Sequence, residues 1–303
     1  MDKILILVGP TGVGKTSFSI ELAKKYNGEI ISGDSMQVYR EMTIGTAKVT
    51  KQEAKGIPHY LVDTFSYNDE YNVKVFQKLA RASITNILAR GKLPIIVGGT
   101  GLYIKSLYYD YVFKDEEVDE EFLAFLRTRS DEECYTMLQH IDSKACDTIH
   151  MNNRKRVERA ILRAHMGETK SEAESQQTHH PIYDAKVIGL TTDRDIIYER
   201  INQRVHQMIN EGLEEEVQSL IVDENTWNLQ SMQGIGYKEW KDYFLGNISI
   251  DVVIDNIQRN SRQFAKRQYT WFNNQMKVDW FEIANEKWQE DCFLEVDGWL
   301  ERG

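Results

Sequence analysis

The stretch "ILILVGPTGVGKTSF", residues 4–18, decides how the chain is read. Five apolar residues run without interruption into Gly9, and Gly14, Lys15 and Thr16 complete the spacing GxxxxGK[ST]. Glycines let a loop curl until successive N–H groups point inward at an anion, and a helix starting at Thr16 adds its positive end. Lys15 brings a full charge to the terminal phosphate, and the Thr16 hydroxyl suits Mg²⁺. A glycine turn that binds nothing has no need of a strand before, a helix after and the full spacing together. Gly9, Pro10, Thr11, Gly12, Val13, Gly14, Lys15 and Thr16 are therefore expected to hold a phosphorylated ligand. The pattern does not name it. ATP is the usual guest, but any diphosphate presents the same charge and oxygen geometry.

Outward from this loop the chain alternates. Residues 3–8 read as a buried strand, 16–26 as a helix, 29–32 as a second strand and 72–90 as an amphipathic helix closed by Gly91, after which "LPIIVGGTGLY" gives a strand, a glycine turn and a helix. Such alternation predicts an α/β fold with a parallel sheet, whose ligands bind at the carboxyl ends of the strands. The pattern stops near residue 113. Over 115–150 acids outnumber bases eleven to three with helical spacing, and over 154–163 five bases face one acid. Strand character returns at 186–190. The organisation expected is a core of residues 1–113 and 183–303 carrying an all-helical insertion at 114–182, in which the polar stretch 167–178 reads as a mobile connection. Helices at 194–210, 213–222 and 250–272 and a strand at 278–283 complete the core.

Composition bounds the class. At 303 residues with 41% apolar and 28% charged side chains, the chain reads as globular. Its apolar runs fall far short of the roughly 20 residues that span a bilayer, and no signal peptide is visible, so no membrane is expected and the cytoplasm is the default. Cys134, Cys146 and Cys292 form no CxxC pair and read as free thiols. A monomer is the default oligomeric state. The net charge of −10 argues against a generally basic nucleic-acid binder, but binding follows the local field and not the sum.

Four further stretches carry candidate chemistry. In "IISGDSMQVYREMTIGTAK", Asp34 follows a short strand and so stands where ligands bind. It reads either as the cap of a following helix or as a carboxylate facing the phosphate loop. In "VGGTGLY", Thr100 opens a helix with a hydroxyl and an N–H at a third strand end. In "DRDIIYERINQRVHQMINEGLEEEV", Arg200 and Arg204 share one helix face, either as surface charges or as cations leaning over the phosphate loop. His206 reads as a satisfied residue. Finally, Arg259, Arg262 and Lys266 recur along "QRNSRQFAKRQYTWF" without an intervening acid. With the basic run at 154–163, they suggest a polyanion footprint on an acidic body.

The ordered set "GPTGVGKT", "ISGDSMQVYR", "IGTAK", "RGKLPIIVGGTGLY", "RINQRVHQMINEGL", "QGIGYKEW" and "AKRQYTWF" resembles the tRNA isopentenyltransferase family over most of the chain outside the insertion. The resemblance implies a P-loop-kinase-like core and an insertion that grips the anticodon stem-loop of tRNA. It further implies transfer of the dimethylallyl group of dimethylallyl diphosphate to the exocyclic amine of the adenine 3′ of the anticodon. By the same match, Asp34 is the base, and Lys15, Thr100, Arg204 and Mg²⁺ held through Thr16 stabilise the departing diphosphate. Asp34, Ser35, Met36 and Gln37 contact the target base, and Lys155, Arg156, Val157, Glu158 and Arg159 contact the tRNA. The chain departs from the family at Thr43, where an acid is common, and at Val49, where proline is. Three rival readings remain: a kinase using ATP at the same loop, a prenyltransferase of free adenine nucleotides, and a non-catalytic RNA-binding module.

Overall fold

The computed structural model describes residues 1–113 and 119–302. They fall into two compact units: one of Met1–Tyr109 with Pro181–Gly303, the other Asp110–His180. In chain order the first unit begins with β1 (Lys3–Val8), α1 (Lys15–Lys25), β2 (Gly28–Ser32), α2 (Lys51–Ala54), β3 (His59–Tyr60), α3 (Val73–Ala89), β4 (Leu93–Val97) and α4 (Gly101–Tyr108). The second unit holds α5 (Glu120–Arg127), α6 (Asp131–Ile141), α7 (Arg154–His165) and α8 (Lys170–Ser175). The first then resumes with β5 (Asp184–Thr191), α9 (Arg194–Asn210), α10 (Leu213–Leu220), α11 (Lys241–Phe244), α12 (Ile250–Gln275), β6 (Asp279–Glu282) and α13 (Trp288–Glu301).

The six strands form one sheet in the order β3-β2-β4-β1-β5-β6, and every pairing is parallel. A parallel sheet is covered on both faces, which is why β1 reads as unbroken "ILILV" and not as an alternation. Ile4, Ile6 and Val8 pack into one core with Phe76, Ala80, Ile84 and Ile87 of α3. Leu5 and Leu7 point into a second core with Phe18 and Leu22 of α1 and with Cys292, Val296 and Trp299 of α13. The pattern in the sequence suggests no helix at α13, yet this helix covers much of that second face. Because β1 lies between β4 and β5, the chain leaves its carboxyl end at the centre of the sheet, the usual location of a ligand cleft.

The helical unit begins and ends where the backbones of Asp110 and His180 pair, just beyond a short antiparallel bridge of Tyr109 with Pro181. Its carboxyl boundary is thus His180 rather than 182, and its amino boundary Asp110 rather than 114, a position outside the described residues. A second correction concerns 167–178, expected as a loose connection. Residues 170–175 are the helix α8, started by a capping box in which Thr169 and Glu172 exchange hydrogen bonds. The S/T-x-x-E signal is present in "TKSE" but outweighed by the polar composition around it. All three cysteines are free.

Candidate active site

The phosphate loop leaves β1 at Gly9, whose φ of 145° lies in the region open to glycine, and a Cβ there would stand 2.6 Å from the Leu190 carbonyl oxygen. Gly14, at φ 100°, turns the loop into α1. Three side chains converge on the first half of the loop, two as donors and one as an acceptor. Lys15 Nζ donates to the carbonyls of Gly9 (2.8 Å) and Pro10 (2.9 Å). Arg204 Nη2 donates to Thr11 Oγ1 at 2.7 Å, while its Nε is buried with no hydrogen-bond partner among the described residues. The Thr11 N–H donates to Gln268 Oε1 at 2.8 Å. Arg204 gets there because α9 lies directly against the loop: a Cβ on Gly12 would meet the Ile201 side chain at 3.3 Å.

These groups line a cleft of about 530 Å³ at the carboxyl ends of the strands. Gly12, Gly14, Lys15 and Thr16 form its floor, and Asp34 and Gln37 stand on one side after β2. Val97 ends β4 and Gly98 and Gly99 follow it, and Phe264 and Gln268 reach in from α12. Burial pushes the Lys15 ammonium down to about 8, with Arg204 adding to the effect and the Asp34 carboxylate opposing it. Burial also lowers Arg204, again against Asp34. Asp34 therefore shares a poorly solvated part of the cleft with Lys15 and Arg204, and Glu21, Lys24, Glu53 and Lys55 line the cleft as well.

No helix follows Asp34. Its Oδ1 accepts from the N–H groups of Met36 (2.8 Å) and Gln37 (3.3 Å) and closes a tight turn, which leaves Oδ2 without a hydrogen bond to any described residue. The helix-cap reading is thus corrected to a turn closed by Oδ1, and Asp34 lines the cleft as the other reading expects. Gln37 binds back to Ser32 Oγ and to the carbonyls of Thr46 and Ala47, two further residues of the cleft wall. Met36 packs instead on Gly234, where a Cβ would meet its methyl at 2.4 Å, and Ser35 is half-buried in the turn.

The structure separates the remaining candidates. Thr100 is the N-cap of α4, makes no capping hydrogen bond and stands one residue beyond the cleft wall. Arg200 is exposed and outside the cleft, and His206 pairs with Gln258. Arg259 and Lys266 are exposed, while Arg262 is half-buried with Nη1 on Asn202 of α9. In the helical unit Lys155, Arg156 and Arg159 are exposed. Val157 is 0% exposed in that unit's core and Glu158 is held by Arg154 at 2.7 Å, so the expected RNA contacts at these two positions are corrected to packing and positioning. Arg154 itself is committed to Glu158, Asp131 and the carbonyl of Leu126.

Two residues escape a reading of the sequence. Gln268 is neutral within a basic run, so attention to charge passes over it. Glu216 sits in "LEEEV", where acids in a first helical turn read as solvated charges. Its carboxylate instead accepts the backbone N–H groups of Thr43, Ile44 and Gly45 at 2.7–3.1 Å and the Tyr237 hydroxyl at 2.7 Å. The Tyr237 ring in turn lies on Gly45, leaving no room for a Cβ. One carboxylate so joins "IGTAK" to "QGIGYKEW" and sets the segment that presents Thr46 and Ala47. The family departure at Thr43 is harmless to this geometry, because only its backbone N–H is used by Glu216 and its side chain is exposed.

Comparison with known proteins places the chain in a family. The family model described as IPP transferase matches residues 37–275. The tRNA dimethylallyltransferase of Geobacillus thermodenitrificans is 49% identical over 308 residues, covering 99% of this chain and 98% of that protein. The crystal structure of the tRNA isopentenylpyrophosphate transferase of Bacillus halodurans is 42% identical with a TM-score of 0.76, covering 99% of this chain and 97% of that one. A eukaryotic dimethylallyltransferase acting on tRNA, 26% identical, superposes with a TM-score of 0.83 over 100% of this chain and 81% of that one. The chain belongs to the IPP transferase family, the tRNA dimethylallyltransferases.

Proposed function

We propose that this enzyme transfers the dimethylallyl group of dimethylallyl diphosphate to the exocyclic amine of the adenine 3′-adjacent to the anticodon in tRNA, releasing diphosphate. Family membership supports the transfer. The observation that carries the residue roles is a single cleft lined both by the phosphate loop and by Asp34.

The amine nitrogen forms a bond to the allylic carbon as the carbon–oxygen bond breaks, and the electron pair of that bond leaves on the diphosphate. Charge grows on the leaving oxygens, where Lys15, Arg204 and the loop amides stand ready in a poorly solvated site; each such donor is worth about 3 kcal/mol of barrier. An aromatic exocyclic amine is a weak nucleophile, because its lone pair is delocalised into the ring. Asp34 Oδ2, free of other bonds, takes the proton that the amine sheds. Thr16 lines the cleft with a hydroxyl that has no partner among the described residues, and with phosphate oxygens it would complete the oxygen donor set that Mg²⁺ prefers. No cluster of three metal-binding side chains exists among the described residues, in keeping with an ion held largely by its ligand. When bound, Mg²⁺ neutralises part of the diphosphate charge. The assignment of Thr100 as a further donor rests on the family match alone.

The acceptor adenine must leave its loop stack to reach the cleft, a smaller cost than flipping from a duplex. Gln37, on the cleft wall beside Asp34, is the residue read as meeting it, on the family match. Exposed Lys155, Arg156 and Arg159 on one unit, and Arg259 and Lys266 on the other, supply backbone charge for the anticodon stem-loop. The enzyme is read as a cytoplasmic monomer; no helix among the described residues is long and apolar enough to cross a membrane.

The test mixes protein, Mg²⁺, labelled dimethylallyl diphosphate and unmodified tRNA. Label should appear on the adenine 3′ of the anticodon. Label remaining off tRNA while ATP phosphorylates a small acceptor would establish the kinase reading instead, and equal turnover with free adenine nucleotide would remove tRNA from the reaction.

A further inference from the structure

We propose that the Gln268 side-chain amide is a ligand of the leaving diphosphate, donating from Nε2 to a phosphate oxygen. The inference rests on the cleft being a diphosphate site. A glutamine amide has an acceptor end and a donor end, and its neighbours decide which way it faces. Here the decision is unambiguous, because the Thr11 backbone N–H can only donate and lies 2.8 Å from Oε1. Nε2 therefore faces away from Thr11. In that direction it lies against Gly99, where a Cβ would sit 1.9 Å from the nitrogen, so any side chain at position 99 would displace the amide.

Gln268 is only 5% exposed and lines the cleft, and its Nε2 makes no hydrogen bond to any described residue. The amide thus offers its donor to the cleft and not to a protein acceptor, where an oxygen that arrives can take it. Lys15 and Arg204 share the cleft and carry donors only, and Asp34 on its wall accepts the Met36 and Gln37 N–H groups and no Gln268 donor. Beside these two cations and this open donor, a ligand is favoured by bringing acceptors and negative charge, as a diphosphate does. A neutral donor adds a hydrogen bond that strengthens as charge builds on the departing oxygens, without a further cation beside Lys15, whose charge burial already weakens. A tether between α12 and the loop would use Oε1 alone and explain neither the bare Nε2 nor the glycine opposite it.

The two roles separate experimentally. Gln268→Met removes acceptor and donor. Gln268→Glu keeps an oxygen toward the Thr11 N–H but has no donor at neutral pH. Binding of inorganic pyrophosphate with Mg²⁺ is measured by calorimetry on the full chain, with donor and tRNA kinetics and thermal unfolding alongside. The expected result is a loss of about tenfold in pyrophosphate affinity and in kcat/KM for the donor with Q268M, corresponding to one hydrogen bond to a charged group. Q268E should lose more, and the KM for tRNA should stay within about twofold in both variants. A tether predicts the reverse order, with Q268E close to wild type. Either variant binding pyrophosphate as wild type does overturns the assignment. A wild-type chain that binds no pyrophosphate would instead bring down the reading of the loop itself, and this assignment with it.

Discussion

At the amino-terminal end of the sheet, Glu29 of β2 is 1% exposed, and every strong interaction it needs is in place. Arg90 holds both its oxygens at 2.5–2.6 Å, Lys92 adds a hydrogen bond at 2.7 Å and the Tyr60 hydroxyl another at 2.8 Å. At the carboxyl end, the polar groups of the cleft are only partly matched. Lys15 folds back onto carbonyls, Arg204 keeps a bare Nε, Gln268 a bare Nε2 and Asp34 a bare Oδ2. Both ends hold charge in poorly solvated places. A structural charge is satisfied by its neighbours, whereas a functional one keeps capacity for something that arrives later.

The largest effect should come from the group with no electrostatic stand-in. Asp34→Asn keeps an oxygen for the Met36 and Gln37 N–H groups, so the turn survives and only the proton acceptor is lost. Turnover should fall about 10²–10⁴-fold with pyrophosphate affinity nearly unchanged. Normal turnover would return Asp34 to the class of Glu29, a carboxylate that merely holds its turn.

Lys15→Met comes next and should differ in kind, weakening donor binding as well as rate, by about 10²-fold or more in kcat/KM. The wild-type protein carries a pH signature of the same group. With its ammonium lowered to about 8, the free enzyme loses the Lys15 charge as pH rises through that value, so affinity for pyrophosphate should decline above pH 8. A flat profile between about pH 7 and 9.5 would show that Lys15 does not face the ligand.

Glu216 tests whether a carboxylate can be structural and still serve the site. Glu216→Ala leaves three backbone N–H groups and the Tyr237 hydroxyl without their acceptor, and should cost about 2–3 kcal/mol of stability. It should also lower kcat/KM for tRNA about tenfold through the displaced Thr46 and Ala47, while pyrophosphate affinity stays near wild type. Loss of stability with unchanged tRNA kinetics would confine Glu216 to the scaffold.

Glu29 should affect stability alone. Arg90, first among its partners, holds its carboxyl down to about 2, below the ordinary 4.5, so the folded state releases this proton more readily than the unfolded chain does. The resulting stabilisation is complete above about pH 4.5 and disappears as pH falls toward 2. Glu29→Gln should cost about 1–3 kcal/mol at neutral pH, flatten that acid limb and leave turnover intact. A steep acid limb that persists in E29Q would place its origin elsewhere.

The contrast also explains what can be read in advance. Local signals suffice for the phosphate loop, for strands whose two-sided burial makes them plainly apolar, and for the helix α9, whose bounds of 194–210 match Arg194–Asn210. Asp34 is legible because it follows closely on the end of a strand. The Arg90 hydrogen bond to Glu29 spans 61 positions and the Thr11 hydrogen bond to Gln268 spans 257, and neither has a local signature. The family match carries Val157 over with its whole segment, and only packing shows that this residue of the basic helix turns inward. The helix α13 is hard to see because its apolar positions are interleaved with acids, and what makes it a helix is the sheet face it covers.

The smallest effect separates cations that look alike in sequence. Removing a single cation that pairs with a phosphate should reduce the slope of log binding constant against log salt by about 0.7–0.9. Arg259 and Lys266 are exposed and able to follow an RNA backbone, so alanine at either should remove most of one such increment from tRNA binding. Arg262 already gives Nη1 to Asn202, and alanine there should change the slope less while loosening α12 from α9. Equal slope changes at all three would mean that RNA draws Arg262 off Asn202. No change at any of them would make this face of α12 solvated surface, and the tRNA charge would then have to be met by Lys155, Arg156 and Arg159 on the helical unit.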